Sequence, residues 1–201
     1  NLKYRNNDDS SEDNLTLRLR STEQKTTLRF ENQTRLGAWT LKEGAELNNS
    51  IYTNHSRQRL YGSHSSTLSI YETSLNIFGW GAFFSSNYTT ADKRLALSAG
   101  IRMDGNTYNR KMRQLWKQFS PRLSASYKLS EQWTLSGSTG LYHQLPPYTA
   151  LGYKDNEGQY LNKNLKYMQV FESSLGVDWH LQDRFMVSAE GFFKRYSRMP
   201  L

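Results

Sequence analysis

The sequence contains no cysteine, only four prolines and no long apolar run. Without cysteine, the chain has no disulfide framework, no thiolate metal site and no cysteine nucleophile. A membrane-spanning helix needs about 20 consecutive apolar residues, whereas the longest apolar stretch here covers only residues 77–84. Helical membrane proteins are therefore excluded, but a stretch of this length still fits most of one membrane-spanning β-strand.

Polar residues dominate the composition, with 36% hydrophobic residues and a mean hydropathy of -0.79. A transmembrane β-barrel tolerates such polarity, because half of each strand faces a polar interior. The formal net charge of +8 would also suit a nucleic-acid partner. Lysine and arginine are spread along the chain instead of forming one stripe, so we expect no nucleic-acid binding.

Period-two alternation of apolar and polar residues is the main pattern in the sequence. It is clear between residues 171 and 180, and it resumes at Phe185 after a predicted turn at 182–184. Two further hairpins have predicted turns at 130–132 and 90–93. The pattern therefore predicts antiparallel strands with one apolar and one polar face.

The N-terminal third gives a weaker pattern, from which we predict three strands within residues 15–41, with turns near 22–24 and 32–34. Residues 75–88 carry large apolar side chains at both alternating positions, so the pattern does not assign their inward and outward faces. In all, the chain predicts roughly ten strands.

Long polar connections are predicted at 48–66, 104–118 and 145–166, between the short turns. Short turns at one end and long loops at the other are typical of outer-membrane barrels. Aromatic residues beside the short turns would suit a membrane interface, although aromatics also pair across any tight hairpin. These aromatics are Tyr127, Trp133, Trp179 and Phe185. The predicted fold class is all-β, an antiparallel transmembrane β-barrel segment.

Six short motifs follow one another along the chain, at residues 80–84, 100–106, 120–124, 142–148, 164–167 and 189–196. They include a Gly-x-Arg-x-Asp strand end at Gly100, Arg102 and Asp104, and a loop opening at Pro146 and Pro147. In this order they resemble the TonB-dependent receptors of the Gram-negative outer membrane, in the branch common among Bacteroidetes.

The resemblance implies that residues 1–201 are one partial barrel domain, without the plug domain and the C-terminal strands. It implies roughly ten strands of a larger barrel with about twenty-two. The implied function is import of a scarce nutrient of the siderophore, vitamin or glycan class across the bacterial outer membrane. The implied partners are TonB, through regions absent from this chain, outer-membrane lipid, the nutrient ligand and a surface lipoprotein.

Enzyme chemistry finds no support in the sequence. The four histidines, His55, His64, His143 and His180, are isolated from one another and from other zinc ligands. There is no phosphate-binding loop, nucleophile elbow or dinucleotide fingerprint. We therefore expect no catalytic residues, no metal site and no cofactor.

Two loop clusters combine aromatic and basic residues, which suit the capture of anionic chelates or sugars. The alternative is that these loops are polar and basic for solubility or for contact with lipopolysaccharide phosphates. The first cluster consists of Tyr108, Arg110, Lys111, Arg113, Trp116 and Lys117. The second consists of Tyr148, Tyr153, Lys154 and Tyr160.

Two other classes of protein remain open from the sequence. One is a different outer-membrane barrel, such as a passive channel or an adhesin-like protein. The other is a soluble β-sandwich that binds carbohydrate through its Tyr and Trp residues. A sandwich would have strands of about five or six residues, shorter than those predicted here.

Overall fold

The computed structural model describes residues 2–5, 15–61, 66–155, 157–181 and 185–200. Within these ranges, nine strands form one sheet in which neighbours in sequence are neighbours in space. The strands are β1 (Leu2–Arg5), β2 (Leu15–Leu36), β3 (Trp39–Tyr61), β4 (Ser66–Thr89), β5 (Leu95–Asn106), β6 (Ser120–Lys128), β7 (Trp133–Gln144), β8 (Met168–Leu181) and β9 (Phe185–Ser197). The predicted all-β architecture is therefore confirmed, with one strand fewer than the rough count.

Helix is limited, in the described ranges, to two single turns: a 3-10 turn at Leu115–Gln118 and α1 at Tyr148–Leu151. None of the helices in this part of the chain has the length and apolarity to cross a membrane. Strand pairing from β4 to β9 is antiparallel throughout, as expected for strands joined by hairpins.

The chain divides into two compact units. The first contains the described residues within 1–26, 48–78 and 147–163, and the second contains those within 27–47, 79–146 and 164–201. β2, β3 and β4 each contribute residues to both units, whereas β5 to β9 belong wholly to the second.

The sheet of the second unit has one apolar and one polar face. Register places Leu97, Ala125, Gly137 and Leu175 in one row across four strands. The adjacent row is serine throughout, at 98, 124, 138 and 174, and the last two hydroxyls lie 2.9 Å apart. Side chains alternate between faces along a strand, so the two rows lie on opposite sides. We call these sides the apolar face and the polar face.

The apolar face is exposed: Leu175 is 70% exposed and Leu123 is 58% exposed. A soluble monomer rarely exposes a large contiguous apolar surface, whereas a barrel presents such a surface to lipid. Two aromatic pairs lie beside short turns, Trp133 with Trp179 at 5.9 Å between ring centroids and Trp39 with Tyr88 at 4.8 Å. Trp133 and Trp179 thus lie beside short turns as predicted, and they pair between β7 and β8, which the long connection joins.

The predicted turns at 22–24 and 32–34 are wrong, because β2 is one continuous strand of 22 residues. Neither segment contains glycine or proline to reverse the chain. Asn32 instead stays in the strand and donates from its side chain to Glu43 of β3 at 2.9 Å. The reversal occurs at Gly37, where φ is +60°.

The predicted long loop at 48–66 is also wrong, because β3 continues to Tyr61 and β4 begins at Ser66. Polar residues occur on both faces of this part of β3, so the hydrophobic alternation that predicts a strand is missing. Backbone pairing with neighbouring strands forms the strand nonetheless. Between them, residues 62–65 lie outside the described residues, as does the predicted turn at 182–184.

Two other predicted loops are close to the observed ones. β5 extends two residues past Asp104, to Asn106, and the connection to β6 is the segment 107–119. The connection from β7 to β8 covers 145–167 and contains α1. Both are long, as the alternation of short turns and long loops predicts.

The uncertain faces of β4 are assigned by burial. In the first unit, Leu75 and Ile77 are buried together with Tyr52 of β3 and Leu151 of α1, and they form the core of that unit. Phe78, at the alternate position, is 42% exposed. One apolar face of β4 therefore belongs to the core, and the other is exposed.

Substitution of Gly37 tests the turn between β2 and β3. A side chain at positive φ costs about 1–2 kcal/mol, and no heavy atom lies within 4 Å of the added Cβ. We expect Gly37→Val to lower the urea midpoint of the complete barrel in detergent. The control is Gly191→Val, where space is equally open and φ is not positive. An equal effect of both variants would contradict the assignment of the turn.

Candidate functional site

The first predicted cluster lies in the connection 107–119, which we call the basic loop. The loop is held by buried contacts within the second unit. Asn109 donates to the carbonyl oxygen of Leu165 at 2.8 Å and accepts from the backbone N–H of Met112 at 2.8 Å. Met112 is fully buried, and the side chain of Asn106 donates to the Tyr167 hydroxyl at 2.8 Å. The basic loop is therefore ordered by its own packing.

The cations of the basic loop point to solvent. Arg110, Lys111, Arg113 and Lys117 are exposed, and Trp116 is 69% exposed, whereas Tyr108 is half-buried. Residues 107–119 contain no acidic residue. An ordered loop with four unbalanced positive charges attracts anions at the surface without the entropy cost of ordering a flexible segment. The structure thus brings all six predicted residues into one loop.

The second predicted cluster lies in residues 147–163, the part of the connection between β7 and β8 that belongs to the first unit. The Tyr148 ring stacks on Tyr52 of β3 at 5.6 Å, and the Tyr153 ring lies 6.4 Å from that of Tyr71 on β4. These contacts between ring pairs fix the connection against the strands of the same unit. The four predicted residues therefore share one segment, and two of them pack on strand aromatics.

The other two residues of the second cluster hold the same connection by hydrogen bonds. Lys154 Nζ donates to the carbonyl oxygen of Glu72 at 3.1 Å and lies 4.8 Å from the Tyr160 ring. The Tyr160 hydroxyl donates to the carbonyl oxygen of Ser74 at 2.7 Å. These polar groups are already engaged with β4, so an anchoring role stands beside the predicted role in ligand binding.

A chain of alternating charges crosses the second unit between β2, β3 and β5. Its members in order are Lys42, Glu31, Arg29, Glu46, Arg102 and Asp104. The successive N···O distances are 2.5, 2.8, 3.6, 3.9 and 2.7 Å. Three cations alternate with three carboxylates, so this charge chain is balanced. Sequence alternation places such residues on a polar face, but it does not indicate which strands bring them together.

Gly81 of β4 allows the charge chain to cross that strand. Register places Gly81 opposite Asp104. An added Cβ at Gly81 would lie 2.5 Å from Asp104 Oδ1 and 3.3 Å from Arg102 Nη2. The Arg102–Asp104 pair therefore lies flat over β4, and Arg102 reaches Glu46 on β3. Without a side chain, glycine permits this close approach.

Aromatic side chains lie flat on glycine in the same way at two other places. An added Cβ at Gly44 would be 2.5 Å from Phe83 Cζ, and one at Gly140 would be 3.0 Å from Tyr142 Cε2. A guanidinium then stacks on each ring: Arg29 lies 4.7 Å from the Phe83 centroid, and Arg122 lies 4.5 Å from that of Tyr142. Glycine, ring and guanidinium thus form layers, with the cation outermost.

Metal binding has no geometric basis in the part of the chain that the structure describes, which contains no group of three or more His, Asp or Glu side chains able to hold an ion. The cations of the charge chain are paired with carboxylates, and those of the basic loop are exposed. Guanidinium groups bind carboxylate and phosphate groups through paired hydrogen bonds. The arrangement therefore suits reversible binding of anions.

Comparison with known proteins gives a family match and several similar folds. The family model described as TonB dependent receptor-like, beta-barrel, matches residues 1–200. No curated protein sequence matches the chain. Similar structures include the copper transporter OprC, 14% identical with a TM-score of 0.65. FpvA of P. aeruginosa bound to heterologous pyoverdines is 16% identical with a TM-score of 0.63. BauA, the ferric preacinetobactin receptor from Acinetobacter baumannii, is 13% identical with a TM-score of 0.51.

These similarities cover most of this chain but a minor part of the other proteins. The alignments include 89%, 94% and 89% of this chain and 31%, 28% and 30% of OprC, FpvA and BauA, respectively. The chain therefore spans about a third of their length. At this level of identity, the likeness concerns the fold alone.

Substitution of Gly81 tests the crossing of the charge chain. We expect Gly81→Ala to displace the Arg102–Asp104 pair and to destabilise the complete barrel by about 1–3 kcal/mol, measured by urea unfolding in detergent. The matched control is Gly100→Ala, because the nearest atom to its added Cβ lies at an ordinary 3.4 Å. In a protein that already carries Asp104→Ala, Gly81→Ala should lower the free energy of unfolding much less, because the carboxylate that the added Cβ would displace is gone. Additive effects of the two substitutions would contradict the proposed contact.

Proposed function

This chain belongs to the TonB-dependent receptor family, and on that premise we propose that it forms part of the barrel wall of an outer-membrane receptor that imports a scarce nutrient. Transport in this proposal uses energy supplied through TonB and requires no covalent chemistry by the chain. Residues 1–201 are then one partial barrel domain. The chain spans about a third of the similar structures, so the transport function is proposed for the complete protein of which the chain is a part.

The observation that carries the proposal is the sheet with one exposed apolar face and one polar, charged face. The apolar face suits contact with outer-membrane lipid, and the polar face suits a wet lumen. Each strand from β5 to β9 alternates between these two environments. A soluble sandwich would instead bury one face of such a sheet against a second sheet.

Family membership places the chain in the bacterial outer membrane and among receptors, which are not enzymes. The predicted location and the prediction that the chain is not an enzyme are therefore confirmed. The narrower resemblance to Bacteroidetes-type receptors stays a prediction. TonB, the nutrient ligand and a surface lipoprotein are the partners that we propose for the complete protein.

We propose the basic loop as the part of this chain that first meets the ligand. Its four exposed cations and the exposed Trp116 ring are held on an ordered backbone. The named neighbours are a copper transporter, a receptor bound to pyoverdine and a receptor for ferric preacinetobactin. The likeness to them concerns the fold alone, so we propose a metal or a metal chelate as the cargo class only by analogy, and a vitamin or a glycan stays open.

Dependence on TonB tests the proposed function. Cells that express the complete protein should accumulate a radiolabelled nutrient that limits their growth, and disruption of its gene should abolish this uptake. Disruption of the TonB gene should have the same effect, because the import step needs energy from the inner membrane. Uptake that persists without TonB would identify a passive channel instead.

Removal of charge from the basic loop tests ligand capture. We expect the triple variant Arg110→Gln, Lys111→Gln and Arg113→Gln to reduce uptake about tenfold or more at low ligand concentration, because charge-assisted contacts contribute about 1.5–3 kcal/mol each. The control triple variant removes the same charge from the short-turn end, at Lys93, Arg94 and Lys128. Normal uptake by a correctly folded loop variant would exclude this loop from ligand binding.

A further inference from the structure

A hollow of about 660 Å³ opens on the polar face of the second unit. Its volume lies within the range of about 300–1,000 Å³ that is usual for small-molecule sites. Four cations line it: Arg29, Lys42, Arg102 and Arg122. The lining also includes Ser85, Ser98, Ser124 and Ser138. Positive charge and small donors thus converge on one space.

The cations of the hollow are not equally neutralised. Arg29, Lys42 and Arg102 belong to the balanced charge chain, in which Glu31, Glu46 and Asp104 oppose them. Among the described residues, no carboxylate oxygen lies within ion-pair distance of Arg122. Of the four cations that line the hollow, Arg122 is therefore the one that the carboxylates of the charge chain do not balance.

Arg122 is held in place without being neutralised. Its guanidinium lies 4.5 Å from the centroid of the Tyr142 ring, which itself rests on Gly140. Stacking occupies the face of the guanidinium and leaves the N–H groups at its edge available to an acceptor. Ser124 and Ser138 flank this position on neighbouring strands of the same polar face. The ring thus orients the cation in advance of binding.

The hollow is continuous in sequence with the basic loop. Arg102 lies near the end of β5 and Arg122 near the start of β6, and residues 107–119 connect these two strands. Asn106, at the last position of β5, is buried and bonded to Tyr167, so the base of the loop is fixed. Two cations of the hollow therefore lie on the two strands from which the basic loop emerges.

We propose that Arg122 is the anchor of an anion-binding subsite on the inner wall, which takes a carboxylate or phosphate group of a small solute after its capture by the basic loop. This inference rests on the proposed function, since it assumes that the polar face lines a lumen. The balanced charge chain supplies the rigid floor of the subsite, and Arg122 supplies its net charge. Tyr142 is a positioning residue for Arg122.

Anion binding to the complete receptor, purified in detergent, tests the subsite without a need for transport. All measurements use the triple variant of the basic loop as the parent protein. Because that loop has lost three of its cations, the binding that remains is assigned to the inner wall. Citrate and inorganic phosphate are titrated by calorimetry. We expect Arg122→Gln to weaken binding of the preferred anion about tenfold or more, because the charge-assisted hydrogen bonds to the anion are lost. Lys128→Gln, on the same face of the same strand, should leave it unchanged.

Tyr142 variants separate positioning from simple loss of structure. Tyr142→Phe keeps the ring and should retain binding, whereas Tyr142→Leu removes the stacking surface and should weaken it several-fold. Preference for citrate identifies a carboxylate ligand, and preference for phosphate identifies a phosphate ligand. Equal binding by Arg122→Gln and the parent overturns the proposal, as does equal loss in Lys128→Gln. Absence of binding to the parent also overturns the proposal and indicates that polypeptide fills the hollow. TonB-dependent uptake is measured separately, so it would still support the proposed function.

Discussion

Continuous antiparallel hydrogen bonding between neighbouring strands is the constraint on which the other features depend. Once the register is set, every residue has a defined face and defined cross-strand neighbours. Leu97 and Leu175 therefore share a row with small residues between them, while Ser98 and Ser174 share the opposite row. A shift by one residue would move serines onto the apolar face and leucines onto the polar face. The separation of lipid-facing from lumen-facing chemistry thus depends on register.

Glycine positions on the strands shape the polar face. The Phe83 ring lies against Gly44, and the Tyr142 ring lies against Gly140, in the space that a Cβ atom would need. The Arg102–Asp104 pair crosses β4 at Gly81 for the same reason. Large and charged side chains can then cover the wall with little loss of open space. Phe83 and Tyr142 are also among the residues that line the hollow beside Arg122.

The two long connections use different means to achieve order. In the basic loop, the buried Met112 and Asn109 hold the backbone, Asn106 fixes the end of β5 at its base, and the cations remain exposed. In residues 147–163 of the connection between β7 and β8, the aromatic and basic side chains themselves anchor the segment to β3 and β4. Similar compositions therefore have different consequences: the first segment presents its charge outward, while the second directs much of its polar chemistry to the sheet.

The sequence alone determined the class of fold, because apolar and polar alternation with short turns and long loops suits only strands that separate two environments. It also located the basic loop, since cations without acids in a polar connection are visible in the residues themselves. It misplaced the turn at Gly37 and the loop at 48–66, where glycine conformation and backbone pairing outweigh side-chain pattern. Only tertiary structure decided that Leu75 is buried and that the charge chain exists, because both depend on residues distant in sequence being brought together by strand register and close packing.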